Sequence, residues 1–155
     1  MLAGKWTYRS FRNETELVGD QADAALALIF GEGVFDFEAE GGNRFRGALG
    51  MAGGYALRLE ATADAGPAGG DPGFAIVGEG VAGTPTAGWR YDYRGHLGYQ
   101  WPEGVDQPPC LVGTVIRVKA HGDAPAGVTV AFIAVKQLAD RQPRPVRRFS
   151  LTAGL

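Results

Sequence analysis

The sequence predicts an all-β protein: a single antiparallel up-and-down barrel of eight strands. Hydrophobic and polar residues alternate with a period of two along most of the chain. Short clusters of glycine, proline, asparagine and aspartate separate the alternating segments, as turns do in β-hairpins. The length of 155 residues, of which 45% are hydrophobic and 21% charged, suits one domain with a genuine core.

Eight segments show this strand-like patterning, and the last two are the most continuously apolar. In chain order the segments are 5–11, 34–38, 45–51, 55–60, 74–81, 89–94, 111–120 and 128–135. Because short turns join consecutive segments, we expect an antiparallel meander, and closing it into a barrel removes the exposed edges of an open sheet. An open sandwich of two sheets fits the same pattern and is the structural alternative.

Two segments depart from the strand pattern. Residues 20–29 (DQADAALALI) place aspartates ahead of a run of alanine and leucine, which predicts a short helix between the first and second strands. Residues 138–155 are rich in basic side chains and interrupted by Pro143 and Pro145. We expect a barrel domain over residues 1–137, followed by an extended basic arm over residues 138–155.

The distribution of charge argues against a nucleic-acid partner. Residues 136–148 hold five basic residues and one acidic residue, a net charge of +4. The remaining 10 basic and 16 acidic residues give the rest of the chain a charge of −6, which repels a polyanion. The longest apolar run, residues 24–30, is far shorter than the roughly 20 residues needed to cross a bilayer. With basic residues near its N-terminus in place of a signal peptide, the chain is predicted to be cytoplasmic, without a membrane partner.

The sequence predicts no metal site and no cofactor. Its soft-ligand candidates are Cys110, His96 and His121, and no two of them have the close spacing that metal sites use. His121 is the candidate for ligating a haem, although a histidine in a turn is usually solvated. Cys110 precedes an apolar strand and is expected to be an inert thiol. No phosphate-binding glycine loop and no nucleophile elbow is found.

The tripeptide Gly4-Lys5-Trp6, at the start of the first predicted strand, resembles the G-x-W signature of the calycin barrels, which include lipocalins, fatty-acid-binding proteins and avidins. The resemblance implies an eight-stranded barrel with Trp6 inside its closed end. It also implies a basic residue from a late strand across the indole, and the positions available for that part are Arg117 and Lys136. A cation over an indole contributes on the order of 1 kcal/mol or more when desolvated.

The segment 88–96 carries the densest set of side chains suited to ligand binding or acid–base chemistry. Alternation places Trp89, Tyr91 and Tyr93 on one face and Arg90, Asp92, Arg94 and His96 on the other. Burying four ionisable groups costs several kcal/mol for each unpaired ion, so we expect the aromatic face inside. There it either lines a cavity or simply fills a core.

The segment 97–110 is long for a loop, and loops of this length are often functional. It carries two large aromatic residues, Tyr99 and Trp101, among several prolines. One interpretation is a lid over the barrel mouth, with Trp101 touching a ligand. The other is a loop that holds both rings against the barrel exterior or a neighbouring subunit.

Three functions are compatible with these features. The first is binding of one small, largely apolar or aromatic molecule inside the barrel. The residues predicted to bind it are Trp6, Tyr8, Phe35, Phe37, Tyr55, Trp89, Tyr91, Tyr93 and Trp101. The second is an enzyme of the cyclase or isomerase type, with Tyr91 or Tyr93 as proton donor and Asp92 or His96 as base. The third is a structural or oligomerisation domain, for which a homodimer is the default expectation.

Overall fold

The computed structural model describes residues 1–64 and 72–138, and its strands form a closed barrel in sequence order, each antiparallel to its neighbours. The first strand closes the barrel by pairing with the last. The strands are β1 (Gly4–Phe11), β2 (Ile29–Gly41), β3 (Arg44–Gly50), β4 (Ala56–Asp64), β5 (Gly73–Gly80), β6 (Arg90–Leu97), β7 (Cys110–Arg117) and β8 (Thr129–Lys136). One α-helix, α1 (Ala22–Ala27), lies between β1 and β2, and a 3-10 turn (Ala52–Gly54) joins β3 to β4. The predicted all-β, eight-stranded up-and-down barrel with one short helix is confirmed.

The largest difference from the sequence prediction lies in β2, which begins at Ile29 rather than at residue 34. The sequence does not predict this part of the strand, because Gly31 and Gly33 interrupt the alternation of apolar and polar side chains. At Gly33 a Cβ atom would lie 2.4 Å from the carbonyl oxygen of Gly50, so the neighbouring chain passes too close for a side chain. The helix is shorter than predicted: it spans Ala22–Ala27, and Ile29 belongs to β2.

The antiparallel order gives the barrel two distinct ends. The connections β1–β2, β3–β4, β5–β6 and β7–β8 lie at one end, which we call the open end because it contains the cavity described below. At the other end, which we call the closed end, lie the N-terminus, the connections β2–β3 and β6–β7, the end of β4 and the start of β5. Each connection within the described residues can therefore be assigned to one end from the strand order alone.

At the closed end, the side chain of Trp6 is buried and 1% exposed. Its indole Nε1 donates a hydrogen bond to the carbonyl oxygen of Leu2 at 2.6 Å. The ammonium of Lys136 lies 4.5 Å from the indole centroid and also donates to the carbonyl oxygen of Ala3. Burial lowers the pKa of Lys136. Of the two basic residues that the resemblance offered for this contact, Lys136 makes it, and the barrel is compatible with a calycin-like fold.

The middle of the barrel is filled by aromatic rings. Phe35 is fully buried, and the centroid of its ring lies 4.7 Å from that of Tyr8, 5.5 Å from Tyr93 and 6.4 Å from Phe132. Phe37 packs against Phe35 on the side toward the closed end, with their centroids 5.6 Å apart. Tilted and edge-to-face pairs of this kind add to the stability gained from burial alone.

Among the described residues, no helix has the length and apolar character needed to cross a lipid bilayer. The predicted basic arm, residues 138–155, lies outside the described residues apart from Leu138.

Candidate functional site

A cavity of about 410 Å³ opens at the open end of the barrel, above the aromatic rings that fill its middle. Most of its wall is apolar, with Leu49, Met51 and Leu57 contributed by β3, β4 and the residues that join them. The aromatic rings in the wall are those of Tyr8, Phe30, Tyr55, Trp89, Tyr91 and Tyr93. Two basic side chains, Arg117 and His121, complete one side.

Five of the nine residues predicted to bind a ligand line this cavity: Tyr8, Tyr55, Trp89, Tyr91 and Tyr93. The expected orientation of the aromatic face of β6 toward the interior is what the structure shows, since Tyr91 and Tyr93 are buried. The structure does not bring Trp6, Phe35 and Phe37 to the cavity. They belong to the filled part of the barrel, although strand alternation points them inward like the residues that line the cavity.

Trp101 lies far from the cavity, because the β6–β7 connection that carries it is at the closed end. Its side chain is 68% exposed and packs edge-to-face on Tyr99, with centroids 5.1 Å apart. The side chain of Gln107 holds the loop by hydrogen bonds to the backbone nitrogen and oxygen of Trp101, both at 2.8 Å. The interpretation of this loop as a lid with Trp101 touching a ligand is therefore corrected: the loop and the cavity are at opposite ends.

Asp92 and His96, the two predicted bases, lie on the outer face of β6. The carboxylate of Asp92 accepts hydrogen bonds from Arg90 at 3.1 and 3.3 Å, and this pairing raises the pKa of Arg90. The Nδ1 atom of His96 lies 2.9 Å from the carbonyl oxygen of Leu97. Neither side chain lines the cavity, so the structure separates both from the hydroxyl groups of Tyr91 and Tyr93.

Trp89 is held at the cavity by the β5–β6 connection, residues 81–89. Thr86 is the buried anchor of this connection: its hydroxyl donates to the carbonyl oxygen of Ala56 at 2.7 Å and accepts from the amide of Val81 at 3.2 Å. Backbone hydrogen bonds then join Trp89 to Gly80 and to Thr86, each at 2.9 Å. A side chain at Gly80 would collide with the carbonyl oxygen of Thr86, 1.6 Å from an added Cβ.

We expect Thr86→Val to lower the free energy of unfolding by about 1–3 kcal/mol, because it leaves the buried partners of the hydroxyl unsatisfied. Urea denaturation followed by circular dichroism measures the change. The matched control is Thr114→Val, at an exposed position of β7, which should stay within about 0.5 kcal/mol of the wild type. Equal stabilities of the two variants would contradict the anchoring role of Thr86.

The polar side of the cavity is a chain of three side chains. The Nε atom of Arg117 donates to the hydroxyl oxygen of Tyr91 at 3.0 Å, and that oxygen lies 2.7 Å from Nε2 of His121. The imidazole of His121 stacks on the indole of Trp89, with centroids 3.8 Å apart and planes inclined by 12°. Arg117 also donates to the carbonyl oxygen of Pro125 at 2.9 Å, which ties the β7–β8 connection to the wall.

Burial lowers the pKa of His121, and the positive charge of Arg117 lowers it further. A neutral imidazole at neutral pH can accept the hydroxyl proton of Tyr91 at Nε2, while Tyr91 accepts from Arg117. At the floor of the cavity, burial raises the pKa of Tyr8 to about 12 and that of Tyr93 well above its usual range. Both phenols are therefore protonated at neutral pH and can act as hydrogen-bond donors.

Nine residues of the wall were not predicted as ligand contacts, and three of them carry an aromatic ring or a basic group: Phe30, Arg117 and His121. Phe30 adjoins the segment predicted as a helix, and its place in β2 was hidden by the neighbouring glycines. Arg117 does carry a signal, because strand alternation puts it on the same inward face of β7 as Leu111 and Val115. The contact of His121 with Trp89 spans a long sequence separation, and no local pattern predicts it.

Within residues 1–64 and 72–138, no three histidine, cysteine, aspartate or glutamate side chains come together as metal ligands. His121, the candidate for haem ligation, already has its Nε2 atom at hydrogen-bond distance from Tyr91. No family model, no curated protein and no solved structure matches this chain.

Proposed function

We propose that this protein binds one small, largely apolar or aromatic molecule in the cavity at the open end of the barrel. The observation that supports the proposal best is the aromatic lining of a cavity of about 410 Å³, a volume within the usual range of small-molecule sites. Flat rings on several sides suit a flat guest, because offset and edge-to-face ring contacts are favourable.

The sizes of the wall residues also support this proposal. Protein interiors are normally packed to crystal density, and a space of this size forgoes many dispersion contacts. Gly31 and Ala52 line the cavity where larger side chains would reduce its volume. A small-molecule guest would recover the contacts that these small residues leave unmade.

The positions of the three tryptophans allow a direct test by fluorescence. Trp89 lines the cavity, whereas Trp6 is buried at the closed end and Trp101 is exposed there. Titration with N-phenyl-1-naphthylamine, an uncharged aromatic probe, should quench tryptophan emission and enhance the emission of the probe at micromolar concentrations. In Trp89→Phe most of the quenching should disappear while the enhanced probe emission remains.

A matched pair of variants locates the binding. Ala52 is exposed at the cavity wall, so Ala52→Trp should leave the fold intact, obstruct the cavity and weaken binding about tenfold or more. Ala39→Trp adds the same ring at an exposed position of β2 toward the closed end and should bind the probe as the wild type does. Equal binding by the two variants, or no response of the wild type to this probe or its sulfonated analogue, would overturn the proposal.

One observation favours an enzyme of the cyclase or isomerase type as the second candidate. The hydroxyl of Tyr91 lies between Arg117 and His121, an arrangement in which a proton could move between the phenol and the imidazole. In this candidate His121 takes the role of base that the sequence suggested for Asp92 or His96. Tyr91→Phe separates the two functions, because a binding protein should keep most of its affinity while an enzyme that relies on this hydroxyl should lose turnover.

A further inference from the structure

Arg117 differs from the other arginines of the described chain in being buried. It is 9% exposed, and the other two buried polar residues, Ser10 and Thr86, are uncharged. The ion pairs found among the described residues involve Lys5 and four other arginines on the barrel surface, and Arg117 takes part in none of them. The guanidinium instead lies over the ring of Phe30, 5.0 Å from its centroid, and 5.8 Å from that of Tyr91.

The partners of this guanidinium accept its hydrogen bonds without neutralising its charge. Both hydrogen bonds described for it go to uncharged oxygens, the hydroxyl of Tyr91 and the carbonyl of Pro125. Aromatic faces offset part of the cost of burying a cation, but a cation buried without a counter-charge remains costly. Arg117 lines the cavity, so the space available for that counter-charge is the binding site itself.

The charged groups around the cavity leave this role to a ligand. Glu32 also lines the cavity, but its carboxylate pairs with Arg9 at 3.1 Å and its side chain is 55% exposed. Around His121, the packed neighbours that carry titratable or charged groups are Tyr91 from β6 and Arg117 from β7. Lys119 and Asp123, on its own connection, are both exposed.

We propose that the bound molecule carries one acidic group, such as a carboxylate or a sulfonate on an aromatic body, and that Arg117 binds it. This inference rests on the proposed function and names the class of ligand. Arginine recognises such groups through charge-assisted and often bidentate hydrogen bonds. Tyr91 and His121 form the rest of the acid-binding side, while the aromatic rings hold the body of the ligand.

His121 makes this recognition sensitive to pH. When the imidazole is protonated it donates to Tyr91, which frees the phenol proton for the ligand and adds a second positive charge to the site. A bound anion favours that protonated form, and by linkage protonation favours the anion. Affinity for an acidic ligand that stays ionised should therefore rise as the pH falls.

Two probes that share a ring skeleton test the proposal on the intact protein. The anion 8-anilino-1-naphthalenesulfonate carries a sulfonate that N-phenyl-1-naphthylamine lacks. The wild type should bind the sulfonate about tenfold or more tightly than the neutral probe. Arg117→Met should abolish that preference, so that the ratio of the two affinities falls to about one. Arg94→Met, at an exposed position of β6, is the matched control and should keep the preference.

The pH dependence gives a second measurement, which does not need an arginine variant. The sulfonate stays ionised from about pH 8 to about pH 5, so a gain in its affinity over that range must come from the protein. We expect the gain in the wild type and a flatter profile in His121→Gln. The neutral probe should show no such gain.

The outcomes distinguish this inference from the proposed function. Equal affinity of the wild type for the two probes, without a pH effect, overturns the acidic ligand and leaves the binding function in place. If the wild type binds neither probe, both the acidic ligand and the binding function are overturned. If Arg117→Met fails to fold, as circular dichroism would show, the comparison of probes and the pH profile of the wild type decide the question.

Discussion

Replacing Trp6 with alanine is expected to lower the free energy of unfolding by about 3–5 kcal/mol. The substitution leaves a large void at the closed end and removes both the hydrogen bond to Leu2 and the contact with Lys136. The burial of the indole is almost complete, so little of its packing can be replaced by solvent. Chemical denaturation followed by far-ultraviolet circular dichroism measures the change without relying on tryptophan emission.

Trp101→Ala provides the control with the same change of side chain. Its ring is mostly exposed, so the variant should remain within about 0.5 kcal/mol of the wild type. A loss below about 1 kcal/mol for Trp6→Ala would contradict a packed closed end. If Trp6→Ala binds the naphthylamine probe with wild-type affinity under conditions where it remains folded, the cavity at the open end forms without the Trp6 side chain.

The second large effect is expected for Gly113→Ala, with a loss of about 1–3 kcal/mol or more. Gly113 of β7 faces Gly95 of β6 across the sheet, and an added Cβ would lie 2.0 Å from the carbonyl oxygen of Arg94 and 2.7 Å from the Cα of Gly95. Both atoms belong to the backbone, so no change of side-chain rotamer relieves the collision. The two strands would have to move apart at this point.

Gly50→Ala is the matched control for this prediction. Gly50 also lies in a strand, β3, but a Cβ there meets nothing within 4 Å. Alanine also restricts the unfolded chain, so the stability of this variant should be equal to or slightly greater than that of the wild type. The midpoints of urea denaturation of the two variants compare them directly, and similar values would show that the approach of β6 and β7 is looser than described.

The fold could be predicted from the sequence because the alternation of side chains survives in most strands. The segments that became β5, β6 and β8 differ from their predicted bounds by a few residues, since their buried faces are continuous. The prediction failed at the start of β2, where Gly33 is required by a close backbone contact rather than by a turn. Such contacts depend on neighbouring strands and leave no local pattern.

The site was only partly predictable, for a related reason. Alternation shows which side chains point inward, and it identified Tyr91 and Tyr93 correctly as interior residues. It does not show at which height along the barrel axis each inward side chain lies, so Phe35 could not be assigned to the filled part. The contact between His121 and Trp89 depends on how two connections meet at the open end, which no spacing in the sequence encodes.

The filled closed end has a kinetic consequence for any molecule held in the cavity. Trp6, Phe35 and Phe132 occupy the barrel axis on that side, so arrival and departure would both pass the connections at the open end. A substitution there that changes only the height of the passage barrier would alter the association and dissociation rates by the same factor. Residence time would then vary while the equilibrium constant stayed fixed, in contrast to the usual pattern in which affinity follows the dissociation rate.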